Sequence, residues 1–227
     1  MSKISIIIPT INEANNLPLL LSDLSSIQKE SEIIIVDCGS KDKTIEISNI
    51  YGAKVFISKE RNRGLQLDIG PKNSKGDWLI FLHADTRLTH DWFRKINPVL
   101  KGNNNYIYYF KFKINNKKII FRVLEIFVNY RSKYFKQPYG DQGLIIHRTN
   151  YFKNNGYSKI PLMEDLDFIK RLKNKKNIRV LNFPIYTNSR KWDKTNIFLQ
   201  AFKNWRLRRR WLKGDSIKNI YDDYYQN

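Results

Sequence analysis

At positions 78–88 the chain reads Trp78-Leu79-Ile80-Phe81-Leu82-His83-Ala84-Asp85-Thr86-Arg87-Leu88. The first part is a continuous apolar run, which predicts a strand buried on both faces, as in a parallel sheet covered by helices. The run stops at His83-Ala84-Asp85, and open α/β sheets bind their ligands at the carboxyl ends of their strands. Asp85 is therefore a candidate ligand of a divalent metal ion that grips a phosphate. The alternative is that Asp85 only caps the next turn, where aspartate is common.

The residues before this segment alternate between strand-like and helix-like patterns. Short apolar runs predict strands at 4–8, 32–37 and 53–57, and Pro9 is expected to stop the first of them. Helices are expected between these strands, at about 12–28, 42–51 and 65–74. Such alternation indicates βαβ units with right-handed crossovers. The predicted fold class is therefore α/β, with a mostly parallel central sheet flanked by helices and a first half of the nucleotide-binding type.

Beyond about position 91 the alternation weakens. Further strands are expected at 106–114, 144–146 and 179–183, and helices at 119–134, 163–172 and 196–212. The chain shows no internal repeat and no flexible linker, so the 227 residues are expected to form a single domain.

The composition indicates an ordered, basic protein. The formal net charge is +20, which favours polyanionic partners such as nucleic acid, anionic lipid or phosphorylated substrates. The lysines are spread along the chain, so a general compositional bias is the alternative explanation for much of this charge. Cys38 is the only cysteine, which excludes an intramolecular disulfide and fits a reducing compartment. Neither a signal peptide nor an apolar segment of roughly 18 residues is found, so a cytoplasmic location is predicted.

Acidic residues follow several of the predicted strands. Glu13, Asp37 and Asp85 come after the first, second and fourth strands, and Glu164-Asp165 opens a helix in the second half. In a parallel sheet the first three meet at one edge, over the crevice where ligands bind. Clustered carboxylates need cations, and the candidates are Arg61, Arg63 and a metal at Asp85. This combination suits a nucleoside diphosphate, although each residue alone also fits an ordinary cap or a solvated charge.

The first two predicted strands and the turns after them read Ile6-Ile7-Ile8-Pro9-Thr10-Ile11-Asn12-Glu13 and Ile35-Val36-Asp37-Cys38-Gly39-Ser40-Lys41-Asp42. Together these two segments resemble the opening of the family 2 glycosyltransferases with the GT-A fold. Leu82-His83-Ala84-Asp85-Thr86 resembles the metal-binding DxD region of that family. Tyr139-Gly140-Asp141-Gln142-Gly143 and Leu162-Met163-Glu164-Asp165 resemble its acceptor-side motifs. The His-Ala-Asp-Thr form is similar to that of a small soluble bacterial subgroup.

The resemblance implies a GT-A fold and a division of roles along the chain. Residues 1–90 would form the nucleotide-binding half, 91–195 the acceptor half and 196–227 a basic C-terminal helical segment. Asp85 would bind Mg²⁺ or Mn²⁺, and Asp37 would face the base. The donor nucleotide would be held by Pro9, Thr10, Glu13, Asp37, Gly39, Ser40, Arg61 and Asp85.

On the acceptor side, the resemblance implies that Asp165 is the general base. Asp141, Gln142, Glu164, Arg190 and Trp192 would lie near the acceptor, the sugar or the diphosphate. The implied reaction is an inverting transfer of a single sugar, of the hexosyl type, from a nucleotide-diphosphate sugar to a hydroxyl acceptor. His83 stands where the family has the first Asp of DxD, so metal binding would depend on Asp85 alone. The Gln-x-x-Arg-Trp motif of processive synthases is absent, which argues against a polymerising enzyme.

The segment 198–213 combines aromatic and basic residues at near-helical spacing. A basic amphipathic helix can lie on an anionic membrane, which would favour a lipid-linked acceptor, but a helix packed on the domain shows the same pattern. Two rival functions are a metal-dependent nucleotidyltransferase and a non-enzymatic nucleic-acid-binding protein. The first usually has a glycine-rich loop after its first strand, and this chain has Pro9-Thr10-Ile11-Asn12-Glu13 there. The acidic strand ends argue against the second, so nucleic acid is not expected as a partner.

Overall fold

The computed structural model describes residues 3–172, 175–188 and 197–225. The strands are β1 (Ile4–Thr10), β2 (Ser31–Asp37), β3 (Lys54–Ile57), β4 (Trp78–Phe81), β5 (Thr86–Arg87), β6 (Ile107–Ile114), β7 (Leu144–His147) and β8 (Ile178–Thr187). The α-helices are α1 (Leu17–Leu24), α2 (Thr44–Ile50), α3 (Arg63–Lys72), α4 (Trp92–Leu100), α5 (Ile119–Tyr134), α6 (Arg148–Lys153), α7 (Glu164–Arg171), α8 (Ile197–Leu212) and α9 (Ile217–Tyr225).

The strands form one sheet in the order β3-β2-β1-β4-β7-β6-β8-β5. The first four pair in parallel, β7 is antiparallel to both of its neighbours, and β8 runs parallel to β6. The predicted α/β class with a mostly parallel central sheet is therefore confirmed. The direction in which the sheet grows reverses at β1, because β2 and β3 extend it on one side and β4 on the other. A crevice at such a reversal is the expected ligand site of an open α/β sheet.

The expectation that Pro9 stops the first strand is wrong. β1 continues to Thr10, and Pro9 and Thr10 pair with Val36 and Asp37 of β2. The carbonyl of Ile7 accepts a hydrogen bond from the Leu82 amide on the β4 side. The peptide nitrogen of Pro9, two residues later, faces the same side, where β4 has already ended at Phe81. A missing N–H is tolerated there because no ladder hydrogen bond is lost.

The apolar core lies on both faces of the sheet, as the uninterrupted runs of the first strands predict. Ile6 and Ile8 of β1 point to one face and pack with the buried leucines of α1. Ile7 points to the other face and packs with Leu79 and Phe81 of β4 and with Phe168 of α7. Burial on both faces fixes the register of these strands, so their carboxyl ends are held rigidly at one edge.

Helix α5 covers an edge of the sheet that β7 leaves open. β7 pairs with β6 only at Ile107 and Tyr108, although β6 continues to Ile114. Farther along, the Asn129 side chain accepts a hydrogen bond from the Phe112 amide at 2.9 Å and donates one to the Phe112 carbonyl at 3.0 Å. Side chains of α5 therefore take the place of a neighbouring strand.

Several helix boundaries differ from those expected from sequence. α1 begins at Leu17 and ends at Leu24, followed by a single 3-10 turn at Ser25–Ile27. α4, α6 and α9 were not expected as separate helices. Among the helices that the described residues form, none is both long enough and apolar enough to cross a bilayer.

Candidate functional site

A cleft opens where β1 and β4 end, at the reversal point of the sheet. Open α/β sheets bind their ligands in such a crevice. The cleft brings together residues from both ends of the chain. It is lined by Pro9, Thr10, Ile11, Glu13, Arg61, Arg63, Gln66, His83, Ala84, Asp85, Pro161 and Tyr225.

The predicted donor residues divide into two groups. Pro9, Thr10, Glu13, Arg61 and Asp85 line the cleft. The other seven lining residues were not among the predicted donor-binding residues. Asp37, Gly39 and Ser40 are not among the lining residues. Part of the predicted donor site therefore lines the cleft, and the rest lies in the loops beside it.

Asp37 is fully buried at the end of β2 and holds the loops beside the cleft. Its carboxylate accepts hydrogen bonds from the Thr10 hydroxyl at 2.9 Å and from the Ser40 amide at 2.8 Å. The Ser40 hydroxyl also donates to Asp37 and accepts from the Asn12 amide at 2.8 Å. Gly39, at φ +72°, makes the turn that allows this closure. Contact between Asp37 and a base stays a prediction.

Gln66 links the two strands that flank the cleft and was not expected from sequence. Its side-chain amide donates to the carbonyls of Thr10 at 3.0 Å and of Val36 at 2.7 Å. It is 5% exposed on α3 and also lines the cleft. A lone glutamine inside a helix carries no sequence signal that separates this role from a solvated one.

The amino end of α3 is seated on the segment that precedes α7. The Gly64 amide donates to the Ile160 carbonyl at 3.1 Å, and the Asn62 side chain donates to the Lys159 carbonyl at 3.0 Å. A Cβ atom on Gly64 would lie only 2.1 Å from the carbonyl oxygen of Ser158, so no larger residue fits without backbone movement. This contact joins the two halves of the chain at the floor of the cleft.

Two arginines in the cleft have different partners. The guanidinium of Arg61 lies 5.0 Å from the ring centroid of Tyr225, which α9 brings to the cleft from the far end of the chain. Arg63 makes a short ion pair with Glu164, whose side chain is 1% exposed. Cationic groups at this position can meet an anionic ligand, and the Arg63 pair also fixes the start of α7.

The Arg63–Glu164 pair is electrostatically strained. Burial raises the pKa of Glu164 to about 7, against the opposing effect of Arg63, and the neighbouring Asp165 adds to the rise. Burial disfavours the charge of Arg63, but Glu164 and Asp165 outweigh that effect and raise the pKa of the guanidinium. One Glu164 oxygen, Oε2, is buried without a hydrogen-bond partner. Glu164 is thus a carboxyl at the site whose charge changes near neutral pH.

Asp165 binds Gly140, which lies beside His83 at the border of the cleft. Its Oδ2 accepts a hydrogen bond from the Gly140 amide at 2.8 Å, and its Oδ1 accepts one from the Leu166 amide at 2.7 Å. A Cβ on Gly140 would be 3.6 Å from Asp165 Oδ2 and 2.7 Å from His83 Nε2. The structure therefore brings Asp165 beside His83, which lines the cleft, and a larger residue at position 140 would require the His83 ring to shift.

The turn at Gly140–Gln142 has an outer and an inner member. Gln142 is fully buried, where it accepts a hydrogen bond from the Ser132 hydroxyl and donates one to the Phe110 carbonyl at 3.3 Å. Asp141 is half-buried and lies close enough to Arg131 to favour its charge, although burial lowers the pKa of Arg131 overall. Gln142 thus supports the turn, and a place for Asp141 on the acceptor side stays a prediction. Arg190 and Trp192 lie outside the described residues.

The side chains around Asp85 are chemically compatible with a bound divalent metal ion. Within 3–172, 175–188 and 197–225, no group of three or more His, Cys, Asp or Glu residues forms a metal site made by the protein alone. Mg²⁺ in nucleotide enzymes is commonly held by one or two carboxylates together with substrate phosphates. Asp85 and the adjacent His83 line the cleft and could provide such a partial site.

Comparisons with known proteins agree with this fold. The chain is similar to the Staphylococcus aureus protein TarS (residues 1–349) in complex with UDP, with a TM-score of 0.66 and 21% identity, over 82% of this chain and 60% of that one. It is also similar to glucosyl-3-phosphoglycerate synthase from Mycobacterium tuberculosis, solved with Mn²⁺, UDP and glucosyl-3-phosphoglycerate. That TM-score is 0.58 at 17% identity, over 82% of this chain and 70% of that one.

Sequence comparison identifies the family. The chain is 36% identical over 91 residues to the PGL/p-HBAD biosynthesis glycosyltransferase of Mycobacterium bovis, which is 37% of this chain and 36% of that protein. The match thus spans about a third of that relative's length. The family model "Glycosyl transferase family 2" matches residues 5–214, from the second residue of β1 to just beyond α8. The chain therefore belongs to glycosyl transferase family 2.

Proposed function

We propose that this protein is an inverting glycosyltransferase that moves a single sugar from a nucleotide-diphosphate donor to a hydroxyl acceptor. One observation carries the proposal: the cleft at the reversal point of the sheet combines Asp85 and two arginines with Asp165 at its border. Binding of UDP by TarS and by the mycobacterial synthase supports a nucleotide-sugar donor, since both have this fold.

In the proposed reaction, the acceptor hydroxyl oxygen attacks the anomeric carbon from the side opposite the diphosphate. The bond from that carbon to the diphosphate oxygen breaks, and the hydroxyl proton passes to the carboxylate of Asp165. Asp165 is suited to this role because backbone amides of Gly140 and Leu166 fix its two oxygens. General-base catalysis of this kind contributes roughly 10²–10⁴-fold to the rate.

The negative charge that grows on the leaving diphosphate is met by Arg61 and Arg63. Mg²⁺ or Mn²⁺, held by Asp85 with His83 nearby, would neutralise further charge on the diphosphate when bound. The Mn²⁺ in the mycobacterial synthase supports metal dependence in this chain.

The acceptor is assigned from its need to reach Asp165, the proposed general base. The Gly140 amide binds Asp165, and Asp141 is the next residue of the same turn, so we place the acceptor beside this turn. We further propose a cytoplasmic reaction, in keeping with the single cysteine, and a contact of the segment 198–213 with anionic membrane that would suit a lipid-linked acceptor.

A thermal-shift panel tests the donor site. UDP, GDP, CDP and their common sugar conjugates are added with and without Mn²⁺ to wild type, Asp85→Ala and Glu46→Ala. A ligand that binds only the native state raises Tm by mass action. Glu46 is an exposed residue of α2, so its loss changes the net charge equally without touching the cleft.

We expect one nucleotide to raise Tm in wild type and Glu46→Ala, and to do so less in Asp85→Ala. Incubation with the identified donor and release of the nucleoside diphosphate then test for transfer. A folded wild-type protein that shows no shift with any nucleotide would refute the proposed function.

A further inference from the structure

Helix α5 exposes an apolar stripe to solvent along its whole length. The exposed fractions are 79% for Ile119, 68% for Ile126, 67% for Phe127, 54% for Tyr130 and 62% for Tyr134. Val123 and Phe135 belong to the same surface, at 40% and 61%. Steps of three and four residues place these side chains on one face of the helix. Contiguous exposed apolar surface of this kind marks an interaction site.

The stripe is not needed to attach α5 to the protein. The inner face of the helix already packs on β6, where Phe121 joins Phe112 and Ile114 in a buried cluster. Glu125 on that inner face accepts a hydrogen bond from the Ile114 amide at 2.7 Å and pairs with Arg122. The helix is therefore apolar on two sides, and the fold accounts for only one of them.

The charges around the stripe are positive. Lys117 and Lys118 precede the helix, and Lys133 lies exposed in its last turn. Glu125 is the only acidic residue of α5, and it is 6% exposed. The apolar stripe is thus bordered by cations without an exposed carboxylate on the same helix.

Helix α8 repeats this combination beside the end of α5. Leu199, Phe202 and Trp205 are exposed by 69%, 59% and 47%, and the helix contains five basic and no acidic residues. Arg208 of α8 donates to the Tyr139 hydroxyl at 3.1 Å and to the side chain of Gln137. These two residues lie in the segment that follows α5, so α8 is held against the chain just beyond the end of that helix.

We infer that the exposed face of α5, extended by α8, docks the protein on an anionic lipid bilayer. Aromatic and aliphatic side chains bordered by lysine and arginine match the boundary between acyl chains and anionic headgroups. A second copy of the chain is a poorer occupant, because a two-fold contact would oppose this basic surface to itself.

The exposed face of α5 ends close to the Gly140 turn at the cleft. The Gly140 turn, which binds Asp165, begins five residues after Phe135 at the end of the stripe. Docking through α5 would hold the acceptor side of the cleft near the headgroups. That the bilayer also presents the acceptor rests on the proposed function.

Vesicle sedimentation tests the docking without any nucleotide sugar. The full chain is mixed with vesicles of phosphatidylcholine alone or of equal parts phosphatidylcholine and phosphatidylglycerol. The variants are Ile126→Glu on α5, Phe202→Glu on α8, and Ile50→Glu as the control. Ile50 is 73% exposed on α2 and Ile126 is 68% exposed, so the control makes the same change, with the same added charge, at a similarly exposed isoleucine elsewhere.

We expect wild type and Ile50→Glu to sediment with the mixed vesicles and the α5 variant to bind at least about tenfold more weakly. The α8 variant should bind more weakly than the control, and pure phosphatidylcholine should retain less of every protein. Wild type that stays in the supernatant, or an α5 variant that binds like the control, would overturn the inference. So would sedimentation velocity showing a wild-type dimer that the α5 variant loses, since the surface would then join two copies.

The nucleotide thermal shift separates the two proposals. A variant that no longer binds vesicles but keeps the shift of the wild type affects docking alone. A wild type that binds vesicles without any nucleotide shift retains the docking surface but lacks the proposed activity.

Discussion

Replacing Glu164 with glutamine tests whether burial outweighs ion pairing at the floor of the cleft. Glutamine keeps the size of the side chain but cannot titrate. Glu164 is fully buried and its pKa is raised from 4.5 to about 7. The folded protein therefore retains a proton that the unfolded chain has lost, in the range between about pH 4.5 and 7. Stability contributed by this proton is present below that range and is lost as the pH rises through it.

The size of the effect follows from the two pKa values. At about 1.36 kcal/mol for each pKa unit, a rise from 4.5 to about 7 corresponds to about 3 kcal/mol of unfolding free energy. The unfolding free energy of wild type minus that of Glu164→Gln should thus fall by about this amount between pH 4 and pH 8. Taking the difference removes the titrations that the two proteins share.

Urea denaturation at half-unit pH steps measures this difference. Glu32→Gln is a control of opposite sign: burial opposes its ionisation, but hydrogen bonds from Lys54 and Ser5 outweigh it and lower the pKa. The stability that Glu32 contributes should therefore be present above pH 4.5 and lost as the pH falls. If the Glu164 difference stays flat or increases with pH, the Arg63 pair dominates and the reasoning is refuted.

Three further changes test the geometry of the site. Asp165→Asn should lower kcat by about 10²–10⁴-fold and leave the nucleotide-induced Tm shift intact, and a loss below tenfold would exclude Asp165 as the base. Gly140→Ala places a Cβ 2.7 Å from His83 Nε2, so kcat should fall by about 10–100-fold with little change in Tm; wild-type kcat would show that His83 can move freely. Tyr225→Leu removes the ring under Arg61 and should weaken nucleotide binding about two- to fivefold in calorimetry, whereas Tyr225→Phe should not.

The first half of the fold is readable from sequence because its strands are buried on both faces. Runs such as Ile6 to Ile8 have no solvent side, and burial alone decides their structure. The extension of β1 through Pro9 was missed because it depends on where β4 ends, which is a tertiary fact. The edge-covering role of α5 was missed for the same reason, since Asn129 finds its partner on β6.

Only some residues of the candidate site can be predicted from the sequence. Glu13 and Asp85 lie three and four residues beyond the ends of β1 and β4, so a prediction of these strands also places them near the cleft. Asp37 is the last residue of β2 and is buried, because Thr10 and Ser40 supply hydrogen-bond donors that sequence spacing does not reveal. Tyr225 comes from a helix beyond the segment that the family model matches, and nothing in its own sequence links it to residues some 140 positions earlier.

The covering of β6 by Asn129 also bears on whether another molecule can pair with this edge of the sheet. One amide side chain meets both the N–H and the C=O of Phe112, which is the pairing that an added strand would offer. With Glu125 occupying the Ile114 amide, this stretch has little hydrogen-bonding capacity left for the strand of another molecule. If α5 detached from β6 during folding or on a membrane, a hydrophobic strand edge would open. By occupying these backbone groups, helix α5 prevents other molecules from adding strands to this edge of the sheet.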